Sequence, residues 1–263
     1  MMSGHLLAIV NFPLTLIFVS FILRSKRPPG NTLAWLLFIV IIPYIGIPLY
    51  IFLSGRKFTG RLAKKENIFN SENQKENKSR GDVESLLASL GAPPARANFK
   101  VSLILNGQDA YNRIIEVINS AQNSIHLTTF IFANDPVGLE ILNLLKVKAQ
   151  KGVSVKLLLD SMGSLWVKNP SLGEMKKAGG KVAYFMPLLH IPFKGRSNLR
   201  NHRKILIIDS EKALIGGMNI AQEYLGPTAD SNRWVDLALN IEGPSVRDLE
   251  TIFNKDWDFA NGK

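Results

Sequence analysis

Apolar positions change their pattern twice along the chain. Near the start, residues 6–23 and 33–53 form two apolar runs without a charged side chain, each long enough as a helix to span about 30 Å of hydrocarbon. A polar stretch follows, too poor in apolar side chains to form a core. Short strand-like and helix-like patterns begin near residue 101. These patterns predict a hydrophobic hairpin at 1–55, a basic linker at 56–98 and a folded domain at 99–263.

The second apolar run carries helix-breaking residues. Pro43, Gly46 and Pro48 all lie within it, so we expect this run to kink or re-enter rather than cross a membrane as one straight helix. Arg24 follows the first run where a cleaved signal peptide would need small residues. The two runs therefore predict a transmembrane helical hairpin.

The remaining patterns alternate between strands and helices, which is typical of an α/β layered domain with a mixed sheet flanked by helices. Helices are predicted at 83–90, 110–121, 138–151, 172–178 and 244–259, and strands at 124–132, 153–159, 181–185, 205–208, 213–215 and 237–241.

The net charge of +11 is uneven. Residues 54–80 carry eight Lys or Arg against three Glu, next to the apolar runs. Such a segment either is attracted to an anionic leaflet or is an ordinary solvated tether. Five basic residues soon after the second run, against three between the runs, predict that the domain at 99–263 is cytoplasmic. With no cysteine and four scattered histidines, neither a metal site nor a cofactor is predicted.

The chain contains one motif of the form H-x-K-x4-D-x6-G-G-x-N, made by His202, Lys204, Asp209, Gly216, Gly217 and Asn219. In an extended segment, the side chains of His202 and Lys204 project from the same face. A nucleophile or proton carrier beside a fixed cation suits attack on a phosphodiester. The alternative interpretation is a basic turn that enters a buried strand.

This motif resembles the HKD motif of the phospholipase D superfamily, and the flanking segments are similar to those of bacterial cardiolipin synthases. The similar segments are 26–29, 33–35, 124–132 (SIHLTTFIF), 178–183, 199–204, 216–225 and 241–244. The resemblance implies a phospholipase D-like fold in a multi-pass protein of the bacterial inner membrane. It also implies an enzyme that joins two phosphatidylglycerols into cardiolipin and releases glycerol.

The resemblance also implies roles for the motif. A phosphohistidine forms on one imidazole, and a second histidine transfers the protons; His202 could take either role. Lys204 and Asn219 hold the non-bridging oxygens of the phosphate. Asp209 belongs to the motif, although it could pair structurally instead of touching substrate. Either Asp236 or Glu223 orients the imidazole of His202.

Further charge lies close to the motif. Arg200 and Arg203, together with Lys194 and Arg196, either bind the lipid phosphate or form a solvated loop. Phe193 and the apolar residues 186–189 either meet acyl chains or belong to the core.

The motif occurs once, whereas typical family members carry two modules with the catalytic cleft between them. His126 and His190 have no Lys two residues later. The sequence therefore predicts half an active site, completed by a homodimer or by a chain that supplies a second HKD module. Three alternatives stay open: a hydrolase that uses water, a dimeric nuclease, and a non-catalytic membrane anchor. The hairpin favours anionic phospholipid over nucleic acid.

Overall fold

The computed structural model describes residues 2–24, 29–53, 82–164, 170–186 and 200–262. The N-terminal unit contains three apolar helices: α1 (Met2–Leu23), α2 (Pro29–Ile41) and α3 (Pro43–Leu53). The second apolar run is thus divided at Ile42, as expected from Pro43, which has no N–H to donate to the preceding turn. Gly46 allows α3 to approach α2, because a Cβ there would lie 2.9 Å from the carbonyl oxygen of Phe38.

Aromatic packing holds these three helices together. Tyr50 of α3 is buried, and its ring meets Trp35 of α2 edge to face at 5.3 Å and Phe18 of α1 at 6.0 Å. Over the described ranges, no helix combines the length and the apolar character needed to cross a membrane. Residues 25–28 of the predicted hairpin loop and residues 56–81 of the predicted linker lie outside the described residues.

The second unit is built on a seven-stranded sheet in the order β1-β7-β6-β5-β2-β3-β4, in which β2, β3 and β4 are parallel and the other pairs are antiparallel. The strands are β1 (Lys100–Ile104), β2 (Ser124–Thr129), β3 (Ser154–Asp160), β4 (Lys181–Phe185), β5 (Lys204–Ile208), β6 (Lys212–Gly216) and β7 (Ala238–Glu242). The helices are α4 (Asp82–Ser89), α5 (Gly107–Ser120), α6 (Pro136–Gln150), α7 (Pro170–Lys177) and α8 (Ser245–Ala260).

Helices cover both faces of this sheet, because alternate strand residues point to opposite sides. Leu206 and Ile208 of β5 join the core formed with α5, α6 and α7, whereas Ile205 and Ile207 join the core formed with α8. The mixed sheet flanked by helices confirms the predicted fold class of the domain.

Two helices begin at residues whose side chains cap the helix N-terminus, and the apolar pattern alone does not locate these first residues. Asn106 accepts a hydrogen bond from the backbone N–H of Asp109 and starts α5 before the predicted residue 110. Asp135 does the same for Gly138 and, with Pro136 in the first turn, starts α6.

The register defines one end of the sheet that matters for the site. Four paired residues form a row across neighbouring strands at this end. They are Lys204 of β5, Gly216 of β6, Ala238 of β7 and Ile104 of β1. We call this row the Lys204 end of the sheet. The C-terminal end of β2 also lies there, since Thr128 pairs with Ile205, the residue after Lys204.

Candidate active site

The side chains of His202 and Lys204 lie together at the Lys204 end of the sheet. The imidazole of His202 is exposed and stacks on Phe130, with ring centroids 3.9 Å apart and 18° between the planes. Lys204 Nζ donates to the carbonyl oxygen of His202 at 2.9 Å and lies 5.6 Å from the centroid of the same phenyl ring. An accessible imidazole is thus fixed beside an ammonium group.

Burial makes Lys204 an unusual lysine. Loss of solvent around its ammonium lowers its pKa below the ordinary value, and the negative charge of Asp236 opposes that change. An ammonium that has already shed part of its water is a strong partner for an anionic oxygen, because less hydration is left to remove on binding.

Asn219 offers a donor at the same end of the sheet. Its side chain is buried, and its Oδ1 accepts a hydrogen bond from the backbone N–H of Ile131 at 3.1 Å. That bond uses the acceptor of the carboxamide, so the group available for a ligand is the NH₂ donor.

Gly217, two residues before Asn219, allows the carboxylate of Asp236 to lie close to the backbone. A Cβ at Gly217 would lie 2.2 Å from Asp236 Oδ1, so a side chain there would displace the carboxylate. The backbone N–H of Gly217 also donates to the carbonyl oxygen of Leu237 at 3.1 Å. Of the two carboxylates proposed to orient His202, Asp236 lies against Gly217 and acts electrostatically on Lys204, whereas Glu223 is exposed.

Asp209 lies at the other end of β5. Its carboxylate accepts three backbone hydrogen bonds, from Gln122 at 2.8 Å and from Asn123 and Ser124 at 2.7 Å each. Burial alone would raise the pKa of Asp209, but these three bonds and nearby Lys148 outweigh it and hold the pKa below its ordinary value. Five residues of extended strand separate Asp209 from Lys204 by about 17 Å. This placement separates Asp209 from the two other predicted catalytic residues.

The two arginines predicted to bind substrate are engaged within the protein. The side chain of Arg200 is only 8% exposed. It donates from Nη1 to the carbonyl oxygen of Met186 at 2.9 Å and lies 3.6 Å from a carboxylate oxygen of Asp160. Arg203 forms an ion pair with Asp256 at 2.6 Å. Lys194, Arg196 and Phe193, and residues 187–189 of the predicted apolar segment, lie outside the described residues.

His126 occupies the core on the α8 face of the sheet. Its ring stacks on Phe253 at 4.8 Å, and Nδ1 lies 3.2 Å from Glu250 Oε1 without the geometry of a hydrogen bond. Burial and the charge of Lys156 lower its pKa, against the opposing effect of Glu250. A buried histidine on this face cannot act as the second histidine of the site. Among the described residues, no cluster of three or more His, Cys, Asp or Glu could hold a metal ion.

Sequence reasoning missed Phe130 and Asp256. Phe130 lay inside the predicted strand at 124–132, but β2 ends at Thr129, and the chain then turns to place Phe130 against His202. Asp256 belongs to the last helix and carried no signal that linked it to the motif.

The imidazole of His202, stacked on Phe130 beside Lys204 at one end of a mixed sheet, forms a candidate site for phosphodiester chemistry in an α/β domain. The family model described as "Cardiolipin synthase, PLD-like domain" matches residues 114–257, and the one described as "Phospholipase_D-nuclease N-terminal" matches residues 14–55. The chain belongs to the cardiolipin synthase family of phospholipase D-like proteins.

Individual relatives are about twice as long as this chain. Cardiolipin synthase 1 of Bacillus cereus is 31% identical over 268 residues, which cover 94% of this chain and 52% of the relative. Cardiolipin synthase of Clostridium perfringens is 34% identical over 251 residues, which cover 90% of this chain and 52% of the relative. Among solved structures, the phospholipase D family member Nuc from Salmonella typhimurium aligns with a TM-score of 0.46 and 18% identity, over 60% of this chain and 95% of that one.

Proposed function

We propose that this chain is a membrane-bound phosphatidyltransferase that makes cardiolipin from two phosphatidylglycerols, and that its site is complete only with a second HKD module. The observation that carries the proposal is the exposed imidazole of His202, fixed beside Lys204 in a chain similar to named cardiolipin synthases over more than nine-tenths of its length.

The reaction proceeds in two displacements. The imidazole of His202 attacks the phosphorus of one phosphatidylglycerol; the P–N bond forms, and the P–O bond to the terminal glycerol breaks. A second histidine protonates the departing alkoxide. It then removes the proton from a glycerol hydroxyl of the second phosphatidylglycerol, whose oxygen attacks phosphorus and breaks the P–N bond. The roles of the two histidines can be exchanged.

The remaining side chains act on charge and orientation. The Lys204 ammonium and the Asn219 NH₂ hold the non-bridging oxygens, where negative charge builds in the transition state. Asp236 orients the imidazole of His202 and stabilises its cationic form. Asp209 acts at a distance, because its three backbone hydrogen bonds fasten the start of β2 to the end of β5.

A second module is proposed to cover the Lys204 end of the sheet. Val235 is 97% exposed and Trp234 64% exposed there, and Leu105 and Leu237 are also exposed. Among the described residues of the domain, His202 is the one exposed histidine, and apolar side chains next to such a site are what an interface between two modules requires. Because the chain has no cysteine, Val235→Cys can be oxidised selectively. A disulfide-linked dimer is expected for Val235→Cys and not for the exposed control Gln150→Cys, which lies at the far end of α6.

The apolar helices α1, α2 and α3 are proposed to hold the protein in the bacterial inner membrane as a hairpin, with the catalytic domain in the cytoplasm. Their exposed apolar side chains and the match of residues 14–55 to an N-terminal family domain support this. Retention of the chain in the membrane pellet after carbonate washing is expected. Release of the chain by that wash would contradict the proposal that these helices anchor it in the membrane, and would leave the proposed reaction unaffected.

Thin-layer analysis of labelled phosphatidylglycerol incubated with the purified chain tests the activity. Cardiolipin supports the transferase, whereas phosphatidic acid alone would establish the hydrolase instead. If the purified chain is monomeric and forms neither product, catalysis by the isolated chain is rejected. Mixing tests the shared site. If two copies each supply one His202, equal amounts of wild type and His202→Ala should leave about a quarter of the activity, against about half for independent chains.

A further inference from the structure

The loop that carries His202 is held on both sides of the histidine by the last helix of the domain. Asp256 Oδ2 accepts hydrogen bonds from Asn201 Nδ2 at 2.9 Å and from Arg203 Nη1 at 2.6 Å. One carboxylate therefore binds the residue before His202 and the residue after it, while the imidazole itself stays exposed.

A local turn closes around the histidine. Asn201 Oδ1 accepts the backbone N–H of Arg203 at 3.0 Å, which forms a side-chain turn that encloses His202. Because Asn201 is 3% exposed, this carboxamide has little water with which to exchange its partners. The direction of the Cα–Cβ bond of His202 is thus fixed by its two neighbours.

A second carboxylate fixes the same turn from β3. Asp160 is buried, and its Oδ2 accepts the backbone N–H of Asn201 at 3.0 Å. Its Oδ1 accepts the backbone N–H groups of Met162 at 2.9 Å and Gly163 at 3.3 Å. Asp160 ties the turn to the sheet, and Asp256 ties it to the helix.

We infer that Asp256 is a positioning residue for His202: through Asn201 and Arg203 it holds the backbone at 202 so that the imidazole stays stacked against Phe130, in the position from which it acts on the phosphate. This inference rests on the proposed function and adds a residue of α8 to the catalytic arrangement. Charge strengthens the contact, because a carboxylate that accepts from a guanidinium makes a shorter and stronger hydrogen bond than a neutral acceptor does.

The helix offers its own matched control. Asp248 also lies on α8 and also binds an arginine, Arg96, from its two carboxylate oxygens at 2.5 and 3.0 Å. Asp248→Asn therefore removes a comparable ion pair from the same helix and leaves the contacts of Asn201 and Arg203 in place. Asp256→Asn keeps the volume of the side chain but cannot serve both donors as a charged acceptor.

The first measurement uses cardiolipin formation by the full chain in mixed micelles. We expect Asp256→Asn to lower kcat by about 100-fold, the loss that follows a misplacement of about 1 Å, with KM changed less than about twofold. Asp248→Asn should lower the melting temperature by a similar amount and leave kcat near wild type. An Asp256→Asn chain whose kcat falls no further than that of Asp248→Asn would overturn the inference.

The second measurement does not need turnover. In the full chain with ¹³C-labelled histidine, the Cε1–H resonance of His202, assigned by its loss in His202→Ala, carries the ring-current shift of Phe130. Asp256→Ala should move this resonance toward the free-histidine value, whereas Asp248→Ala should leave it in place. If it stays fixed in Asp256→Ala, Asp256 does not position the ring. If the resonance moves in Asp256→Ala but the wild-type chain makes no cardiolipin, Asp256 positions the ring as inferred and the proposed function is wrong.

Discussion

The phenyl ring of Phe130 lies almost parallel to the imidazole of His202, with 3.9 Å between the ring centroids. The same ring lies 5.6 Å from the ammonium of Lys204. Phe130 leaves the sheet directly after β2, so the two polar groups of the motif share an apolar support from a neighbouring strand. An imidazole held this way has little orientational freedom left to lose in a reaction.

Replacing this support should reduce catalysis more than stability. Aromatic contacts of this kind are worth about 1 kcal/mol, so Phe130→Leu is expected to lower kcat for cardiolipin formation by about fivefold. Phe185→Leu is the control, because Phe185 packs against Phe259 at 5.1 Å on the α8 face. Equal losses of kcat in the two variants would show that the stack with His202 has no special role.

Gly217→Ala should disable the site through Asp236. The new methyl carbon would lie 2.2 Å from Asp236 Oδ1, so the carboxylate has to move away from the site. We expect kcat to fall by about 100-fold while the chain stays folded. Gly173→Ala is the control: nothing lies within 4 Å of its Cβ, and in α7 the change should stabilise the protein by about 0.5–1 kcal/mol. Normal kcat in Gly217→Ala would remove Asp236 from the mechanism.

The sequence predicts the sheet well where apolar residues are dense. Residues 181–185 match β4, and the predicted strands at 205–208 and 213–215 fall within β5 and β6. β1 was missed because it is an edge strand: Val101 and Leu103 remain exposed, so its five residues show no clear buried face. The apolar pattern carries little information about such a strand.

The geometry of the site was predictable most directly where its residues are neighbours in the sequence. His202 and Lys204 are two residues apart, and strand geometry alone brings them together. Asp256 contacts Arg203 across 53 residues, and no local pattern reports such a contact. The motif spacing placed Asp209 with His202, whereas the direction of β5 carries it to the other end of the sheet. Only the fold decides which charged residues of a motif reach the chemistry.

Asp209→Asn should lower the free energy of unfolding and leave kcat unchanged. The carboxylate accepts three backbone hydrogen bonds, and a neutral amide binds them less strongly, so we expect a loss of about 2 kcal/mol in the free energy of unfolding. Because folding lowers the pKa of Asp209, its stabilisation is present above the unfolded pKa and is lost as pH falls through the folded value.

Urea unfolding of the two proteins as a function of pH checks this prediction. The difference between wild type and Asp209→Asn should be constant above about pH 5 and shrink in acid. For the folded fraction, kcat should be unchanged. A large fall in kcat at normal stability would place Asp209 in the chemistry after all.

The alkaline fall of kcat/KM should follow the loss of the proton from the Lys204 ammonium. Because burial lowers its pKa, its ammonium loses the proton at a lower pH than an ordinary lysine does, and the attraction for phosphate then disappears. In Lys204→Arg, the guanidinium remains charged throughout, so the alkaline fall of kcat/KM should vanish, although the value at neutral pH should be lower because the cation has a different shape. Lys146→Arg is the control, since Lys146 pairs with Glu174 at 3.0 Å on α6 and α7 and should retain the alkaline fall of the wild type. An unchanged alkaline limb in Lys204→Arg would assign that limb to another group and leave Lys204 without a role in binding the phosphate.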